Sequence, residues 1–475
     1  MNRVFSSSPR ALFLAAAILP QFLPSLTAQP TPDQRPNVLL IAVDDLNDWP
    51  RMMGVRSDAR TPHMDRLASR GTLFSRAYAQ AALCGPSRAS VMTGLLPSTL
   101  EMHGHVSDQA VIKRAREFGV PALHTYFRKH GYETLAVGKI FHQHVPKGSV
   151  DQSGGRGSFG PVKRFVWHQL GTSTDWGAWP EADAETEDAK SAAWAIERLN
   201  EPREQPFFLM VGFLRPHVPW YVPQKWFDLY PDPDRLKLPP YDPDDWEDIP
   251  FAARRTSVFH PAPTTEWASE FNHWRDIIHA YLASVSFVDD QIGKVLQALA
   301  ASPYADNTLV VLWSDHGYHL GEKGLFQKMT LWERSAHVPL VVAGPGIEPG
   351  ISRRVVSLVD IYPTLLELAR LPPVERLEGR SLVPLIREPG RPWDFPAYTF
   401  ESAGDAAIQT ERYRLIRYAD GSLELYDHHT DPHERNNLAA PSIQPARLPP
   451  SAQPLKEALE KEIPRGSKKI RRKRK

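Results

Sequence analysis

The sequence predicts an α/β protein: a large, mostly parallel β-sheet sandwiched by helices, with a smaller C-terminal antiparallel-sheet subdomain. Three observations carry this. Short apolar runs at 38–43, 134–137, 207–213, 309–313 and 340–343 have the unbroken hydrophobicity of strands buried on both faces, and helix-length stretches separate them. Apolar residues recur at three- and four-residue spacing across 189–199 and 277–299, which marks helices that cover a sheet. From about residue 391 the texture changes to short strand-like segments at 396–401, 413–418 and 423–427, with Asp420-Gly421 as a hairpin turn, before a helix at 452–463.

The N-terminus carries Arg3 and Arg10, an apolar stretch from 11 to 26 and a small-residue cleavage point at Thr27-Ala28-Gln29, so 1–28 reads as a secretory signal peptide. An uncleaved anchor is the competing reading, but Pro20 and Pro24 interrupt a stretch already short for spanning. The expected product is exported, periplasmic or secreted, without stable membrane insertion. With one cysteine, no intramolecular disulfide is possible, so stability rests on the core. The expected catalytic domain runs over 29–390, the C-terminal subdomain over 391–463 and a basic tail over 464–475. That tail reads as a solubilising segment or a nonspecific polyanion contact, and nucleic acid is not expected as a partner of an exported protein. At 42% hydrophobic residues and a net charge of +1, composition excludes overall disorder and bulk electrostatics names no partner.

Four of the apolar runs end in reactive residues. The first leads into Asp44-Asp45, the second into Lys139 and His142, the third into Arg215 and His217, and the fourth into Asp315-His316. Ligand sites of open α/β sheets lie beyond the carboxyl ends of their strands, so these segments converge in one crevice. Asp44-Asp45 in isolation reads as a turn or helix cap. Together with Asp315 it forms a set of carboxylates that would repel strongly unless a divalent cation neutralised them. Oxygen ligation points to calcium or magnesium, and His316 is an unusual ligand for so hard an ion.

The single cysteine begins the run Cys84-Gly85-Pro86-Ser87-Arg88, followed by Ala89-Ser90-Val91-Met92-Thr93-Gly94. Pro86 suits a first helical turn, so Cys84 is expected at a helix N-terminus, where free N–H groups favour an anion, and Arg88, one turn on, is expected to hold the modified side chain or a bound sulfate. The motif resembles the signature of the formylglycine-dependent sulfatases, of the alkaline phosphatase-like superfamily. In that family a formylglycine-generating enzyme oxidises the cysteine of Cys-x-Pro-Ser-Arg to an aldehyde, whose hydrate supplies the nucleophilic oxygen. The resemblance extends along residues 36–438, and Val43-Asp44-Asp45-Leu46, Gly138-Lys139-Ile140-Phe141-His142 and Arg215-Pro216-His217 are most similar to the iduronate-2-sulfatase branch. One departure is Leu95, where the extended signature often has arginine.

The resemblance implies a calcium ion held by Asp44, Asp45, Asp315 and His316 together with an oxygen of modified Cys84. It also implies displacement at sulfur by the residue-84 oxygen, with Lys139 and Lys328 clamping the sulfate and His217 as acid for the leaving alcohol. His142 then takes the proton whose removal regenerates the aldehyde. Singly, each has a plainer reading: Lys139 and Lys328 as surface lysines, His142 and His217 as structural histidines, Arg88 as a helix-surface charge. Lys323 competes with Lys328 for the clamp. Arg215 and His319 are expected to line the pocket. The loops at 146–180 and 219–260 are expected to wall it, with Trp220 and Trp226 either stacking on sugar faces or packing within the loop. The expected substrate is a sulfated carbohydrate. A phosphate or phosphonate ester hydrolase and a noncatalytic glycan-binding relative are the alternatives.

Overall fold

The computed structural model describes residues 35–258, 261–440, 448 and 450–462, with Met1. Apart from Met1, the expected signal peptide 1–28 lies outside the described residues, as does the basic tail 464–475. No helix among the described residues is long and apolar enough to cross a membrane.

In chain order the strands are β1 (Asn37–Asp44), β2 (Gly71–Tyr78), β3 (Glu133–Gly138), β4 (Gln152–Gly155), β5 (Trp176–Ala178), β6 (Phe207–Pro216), β7 (Trp220–Val222), β8 (Thr308–Ser314), β9 (His337–Ala343), β10 (Gly350–Ser352) and β11 (Val356–Ser357), followed by β12 (Ala397–Ser402), β13 (Asp405–Gln409), β14 (Tyr413–Arg417) and β15 (Leu423–Asp427). The large sheet has nine strands in the order β10-β2-β9-β8-β1-β6-β3-β4, with β11 also paired to β2. β1 lies at its centre, parallel to β6 and β8, and every residue of it is buried. Its side chains alternate between two cores. Val38, Leu40 and Ala42 join Ala89, Val91 and Met92 on one face. Leu39, Ile41 and Val43 join Ile277, Tyr281 and Val285 on the other.

The two helices expected from periodicity are Glu187–Leu199 and Trp274–Ala301, each slightly longer than the spacing indicated. The second buries Ile277, Ile278, Leu282, Val285, Val288, Ile292 and Val295 along one side of the sheet. Each such side chain removed from water stabilises the fold by about 1.5–3 kcal/mol.

One strand departs from the expected parallel set. The run at 340–343 belongs to β9, which is antiparallel to both neighbours, β8 and β2. Unbroken hydrophobicity reports burial on two faces but carries no direction. Between β8 and β9 the chain forms only a short turn of 3-10 helix and the four-residue helix Glu333–Ala336, with no crossover helix to return it to the opposite edge. The chain therefore stays at the carboxyl edge from Asp315 to Ala336 and re-enters the sheet there. β2 and β4 escaped the sequence reading: Ser75 and Arg76 break the apolar run of β2, and β4 is Gln-Ser-Gly-Gly.

The small sheet is antiparallel in the order β12-β13-β14-β15, and the expected helix is Gln453–Glu462. β13, Asp405 to Gln409, is one strand more than the sequence indicated. Arg414 of β14 joins this sheet to the large one, its guanidinium buried between Glu333 and Glu434.

β3 and β6 approach closely at the carboxyl end of β3, where Gly138 faces Gly212. A Cβ on Gly138, where φ is 78°, would lie 1.8 Å from the Gly212 carbonyl oxygen, and one on Gly212 would lie 2.1 Å from the Lys139 oxygen. Both obstacles are backbone, so neither yields cheaply, and this contact fixes the exit of Lys139 from the sheet. Gly212→Ala is expected to destabilise the protein by about 2 kcal/mol or more in denaturant titration, at or above the usual penalty of overpacking. Gly390→Ala, where an added Cβ meets nothing within 4 Å, is the control and should stay within about 0.5 kcal/mol of the parent. Equal stability of the two variants would show that the strands are not held at that spacing.

Candidate active site

The site is assembled where β1, β3, β6 and β8 end and the helix Cys84–Thr93 begins. That helix is buried at all ten residues, and no side chain caps its N-terminus. Cys84 therefore sits at a buried positive helix end with open N–H groups. Its Sγ lies 3.1 Å from His316 Nε2 and 3.4 Å from Lys328 Nζ.

Asp44, Asp45 and Asp315 meet here, all fully buried. Three cations are interleaved with them. Arg88 Nε donates to Asp315 Oδ2 at 2.7 Å, Lys139 Nζ to Asp44 Oδ2 at 2.6 Å and Lys328 Nζ to Asp45 Oδ1 at 2.6 Å. The repulsion expected among the carboxylates is thus met within the protein by its own cations. What still points to a metal is the donor set. Asp44 Oδ1 and Asp45 Oδ2 are buried oxygens without a hydrogen-bond partner. Ligand atoms of Asp44, Cys84, Asp315 and His316 lie within 4.8 Å of one another, as do those of Asp44, Asp45, Cys84 and His217. Buried acceptors left open in this way fit a divalent ion held by oxygen. His316 Nδ1 donates to the Gly317 carbonyl at 3.0 Å, which leaves Nε2 facing the cluster, as in metal-ligating histidines.

The electrostatics differ between the two adjacent aspartates. Burial pushes the Asp44 carboxyl up, but Lys139, His217, Arg88 and Lys328 outweigh it and hold it well below the usual range. For Asp45 burial wins, aided by Asp44 and Asp315, and its pKa is raised despite Lys328 and His316. Burial opposes the His316 charge, yet Asp315 and Cys84 lift its pKa to about 9. Burial also opposes the charge of Lys328, which Asp45, Cys84 and Asp44 nevertheless stabilise.

The Asp44-Asp45 turn is held from below. Asp45 adopts a left-handed backbone, φ 61°, with its N–H on Asp315 Oδ1 at 3.1 Å. Tyr281 OH accepts from the Asn47 N–H and donates to the Asp45 carbonyl, both at 2.9 Å. Trp220 packs edge-on against Tyr281 and Tyr318. It is fully buried, so it supports the turn and cannot stack on a sugar. Trp226 likewise packs, against Phe287, with its Nε1–H on Asp183.

His217 donates Nδ1–H to the Val218 carbonyl at 2.6 Å and turns Nε2 toward Asp45 Oδ2 at 3.9 Å. Burial, then the charge of Lys328, holds its pKa well below the usual value. Phe159, from the 146–180 loop, stacks on it with ring centroids 4.5 Å apart, so this loop does form a wall.

Other expectations need correction. Arg88 has little left for a sulfate: Nη1 donates to the carbonyls of Lys139 and Ile140, Nε to Asp315, and Nη2 alone lacks a hydrogen bond. Arg215 braces the loop, with its guanidinium on the carbonyls of Tyr221, His217 and Phe159. His319 is buried on Thr330 and Trp332. Lys323 is paired with Asp245 and the Glu434 carbonyl, which leaves Lys328 as the lysine beside Cys84.

His142 stands on the rim, stacked on His105 with centroids 3.7 Å apart. His105 was not singled out from the sequence. It packs directly on Gly85, where a Cβ would come within 2.7 Å of its Nδ1. Burial, with Lys139 and Lys328 adding, lowers the His105 pKa to about 4, and burial with His105 and Lys139 lowers that of His142 to about 3. Both rings are neutral near pH 7, as proton acceptors should be. A third cluster, Glu333, His428 and Glu434, is already paired internally: Arg414 bridges the two carboxylates and His428 Nε2 lies 2.9 Å from Glu434.

A family model described as Sulfatase matches residues 36–371, and one described as N-sulphoglucosamine sulphohydrolase, C-terminal, matches 321–462. The chain belongs to the sulfatase family. A sulfatase of Formosa agariphila is 46% identical over 85% of this chain and 83% of its own. A choline-sulfatase of Rhizobium meliloti is 30% identical over 85% and 82%, and human iduronate 2-sulfatase is 33% identical over 70% and 69%. Among solved structures, the phosphonate monoester hydrolase of Agrobacterium radiobacter shares the fold with a TM-score of 0.72 at 24% identity, covering 90% of this chain and 95% of that one. The protein is accordingly a sulfuric ester hydrolase.

In this sulfatase Tyr281→Phe would leave the Asn47 N–H and Asp45 carbonyl buried without partners. A loss of about 1–3 kcal/mol in stability is expected, with about tenfold weaker binding of a divalent ion by titration, because a group that orients a candidate ligand is removed. Unchanged melting and unchanged divalent-ion affinity would show that Tyr281 does not hold the turn.

Proposed function

We propose that this sulfatase is an exported enzyme that removes sulfate from a sulfated carbohydrate, using a formylglycine made from Cys84 and a calcium ion. The observation that carries the reading is the seat of Cys84. Its Sγ, standing where the aldehyde-derived oxygen would be, lies at a buried helix N-terminus against His316 and Lys328, beside oxygens of Asp44 and Asp45 that accept no hydrogen bond. A thiol placed only to pack would not need three carboxylates and three cations around it.

Asp44, Asp45, Asp315 and His316 would hold the ion with residue 84. When bound, the ion acts as a Lewis acid toward the sulfate ester and toward the nucleophile. Lys139 and Lys328 present positive charge to the sulfate oxygens, an interaction that strengthens in a pocket poor in water. His217 Nε2 faces the same pocket from the β6 side; burial and Lys328 hold its pKa low, so its service as acid for the leaving alcohol requires the negative charge of a bound sulfate ester to raise that pKa, and Lys328, next to it on Asp45, shares the role. His142, neutral and stacked on His105, receives the proton released from residue 84. The carbohydrate preference draws on the iduronate 2-sulfatase relative. Export and conversion by a formylglycine-generating enzyme follow from the N-terminal segment and the Cys84 to Arg88 motif.

The decisive measurement is twofold. Mass analysis of the peptide containing residue 84 is expected to show the loss that accompanies thiol-to-aldehyde conversion. The protein should release sulfate from an aryl sulfate faster than phosphate from the matching aryl phosphate, and Cys84→Ala should lower sulfate release by about 10³-fold or more. A chelator should abolish turnover and calcium restore it. Faster phosphate release, or an alanine variant as active as the parent, would overturn the reading.

A further inference from the structure

Arg156 is a cation near the pocket that the proposed reaction does not use. It follows β4 directly, and β4 pairs in parallel with β3, whose own next residue is Lys139. Adjacent strand ends therefore deliver two cations to the same edge of the site. Both meet one aromatic ring: Lys139 Nζ lies 5.6 Å and the Arg156 guanidinium carbon 5.2 Å from the Phe159 centroid, and His217 stacks on that ring. Gly155 and Gly157, with φ of 78° and 76°, flank Arg156 and shape its turn.

The guanidinium has no ion pair or hydrogen bond among the described residues, and its Nε is buried. Its electrostatic neighbours of opposite sign are committed elsewhere. Asp44 is taken by Lys139, and Asp108 accepts from the N–H groups of Gln143 and His144. Burial weakens the charge of Arg156, so leaving it without an anion is unfavourable. Arginine's planar fork is suited to a carboxylate or a sulfate.

We propose that Arg156 is a specificity-determining residue that binds a second anionic group of the substrate, a carboxylate or another sulfate beside the one removed. This rests on the carbohydrate sulfatase reading and narrows it to acidic or multiply sulfated saccharides, and it disfavours cationic sulfate esters such as choline sulfate. The reacting sulfate faces Cys84 between Lys139 and Lys328, while Arg156 stands further along the wall formed by Phe159.

The test separates binding from turnover. Calorimetry with calcium present on the Cys84→Ala protein would compare a 2-sulfated hexuronate disaccharide, a neutral hexose disulfate and a neutral hexose monosulfate. The first or second should bind at least about tenfold tighter than the third, as one charge-assisted contact provides, and which of them does identifies the anion. Adding Arg156→Gln should erase that preference, and Arg156→Lys should retain part of it, with melting curves checking that each variant is folded. Equal affinities in the Cys84→Ala protein, or a preference that survives in Arg156→Gln, would overturn the proposal. Loss of the preference in a protein whose parent releases no sulfate would sink the sulfatase reading while leaving Arg156 as an anion site.

Discussion

The structure depends on the mutual neutralisation of three carboxylates and three cations, nearly all of them buried. Asp44, Asp45 and Asp315 each have a dedicated partner in Lys139, Lys328 and Arg88, and five of these six side chains are essentially inaccessible. Removing one partner would leave a buried charge uncompensated, an error that costs about 3–5 kcal/mol. The cluster is therefore stable only as a set. The charge of a divalent cation added to such a set is offset only in part by the substrate, because a sulfate monoester carries one negative charge against the ion's two.

That constraint explains the topology around it. The six charges come from five separate stretches of sequence, and a parallel sheet brings several strand ends to one edge where a meander would alternate them. The one reversed strand serves the same end. By entering at the carboxyl edge, β9 allows the 315–336 segment to remain over the site, where the Met329 N–H on the Ala82 carbonyl keeps Lys328 beside Cys84. The Gly138 and Gly212 contact acts likewise on Lys139. Chemistry and packing are joined at these points.

Much of this was legible in the sequence because it leaves a pattern. Unbroken apolar runs disclosed β1, β3, β6 and β8, and the polar residues that end them disclosed where the crevice lies. What stayed hidden lacks a pattern. The direction of β9 depends on a missing crossover helix, not on composition. β4 is two glycines and two polar residues, recognisable only by its pairing with β3. His105 lies in an ordinary polar stretch and matters because Gly85 lets it close on the helix end. The tryptophans left two readings open, a sugar platform or packing within the loop, and the structure decides for packing: Trp220 props up the Asp45 turn.

A division of labour follows from how the cations are used. Arg88 resembles an anion clamp by position, yet its donors are consumed by Asp315 and two backbone carbonyls, so its work is to tie the helix Cys84–Thr93 to β3 and β8. In the proposed mechanism sulfate recognition thereby passes to lysines, whose flexible stems let the charge shift from a carboxylate toward an incoming oxygen, as a rigid guanidinium fork cannot. Fixed geometry is needed where the fold must not move, and a mobile point charge where substrate exchanges. Arg156, on a loop bounded by glycines, has the fork without the constraint, which suits a residue that reads what accompanies the sulfate and takes no part in its transfer.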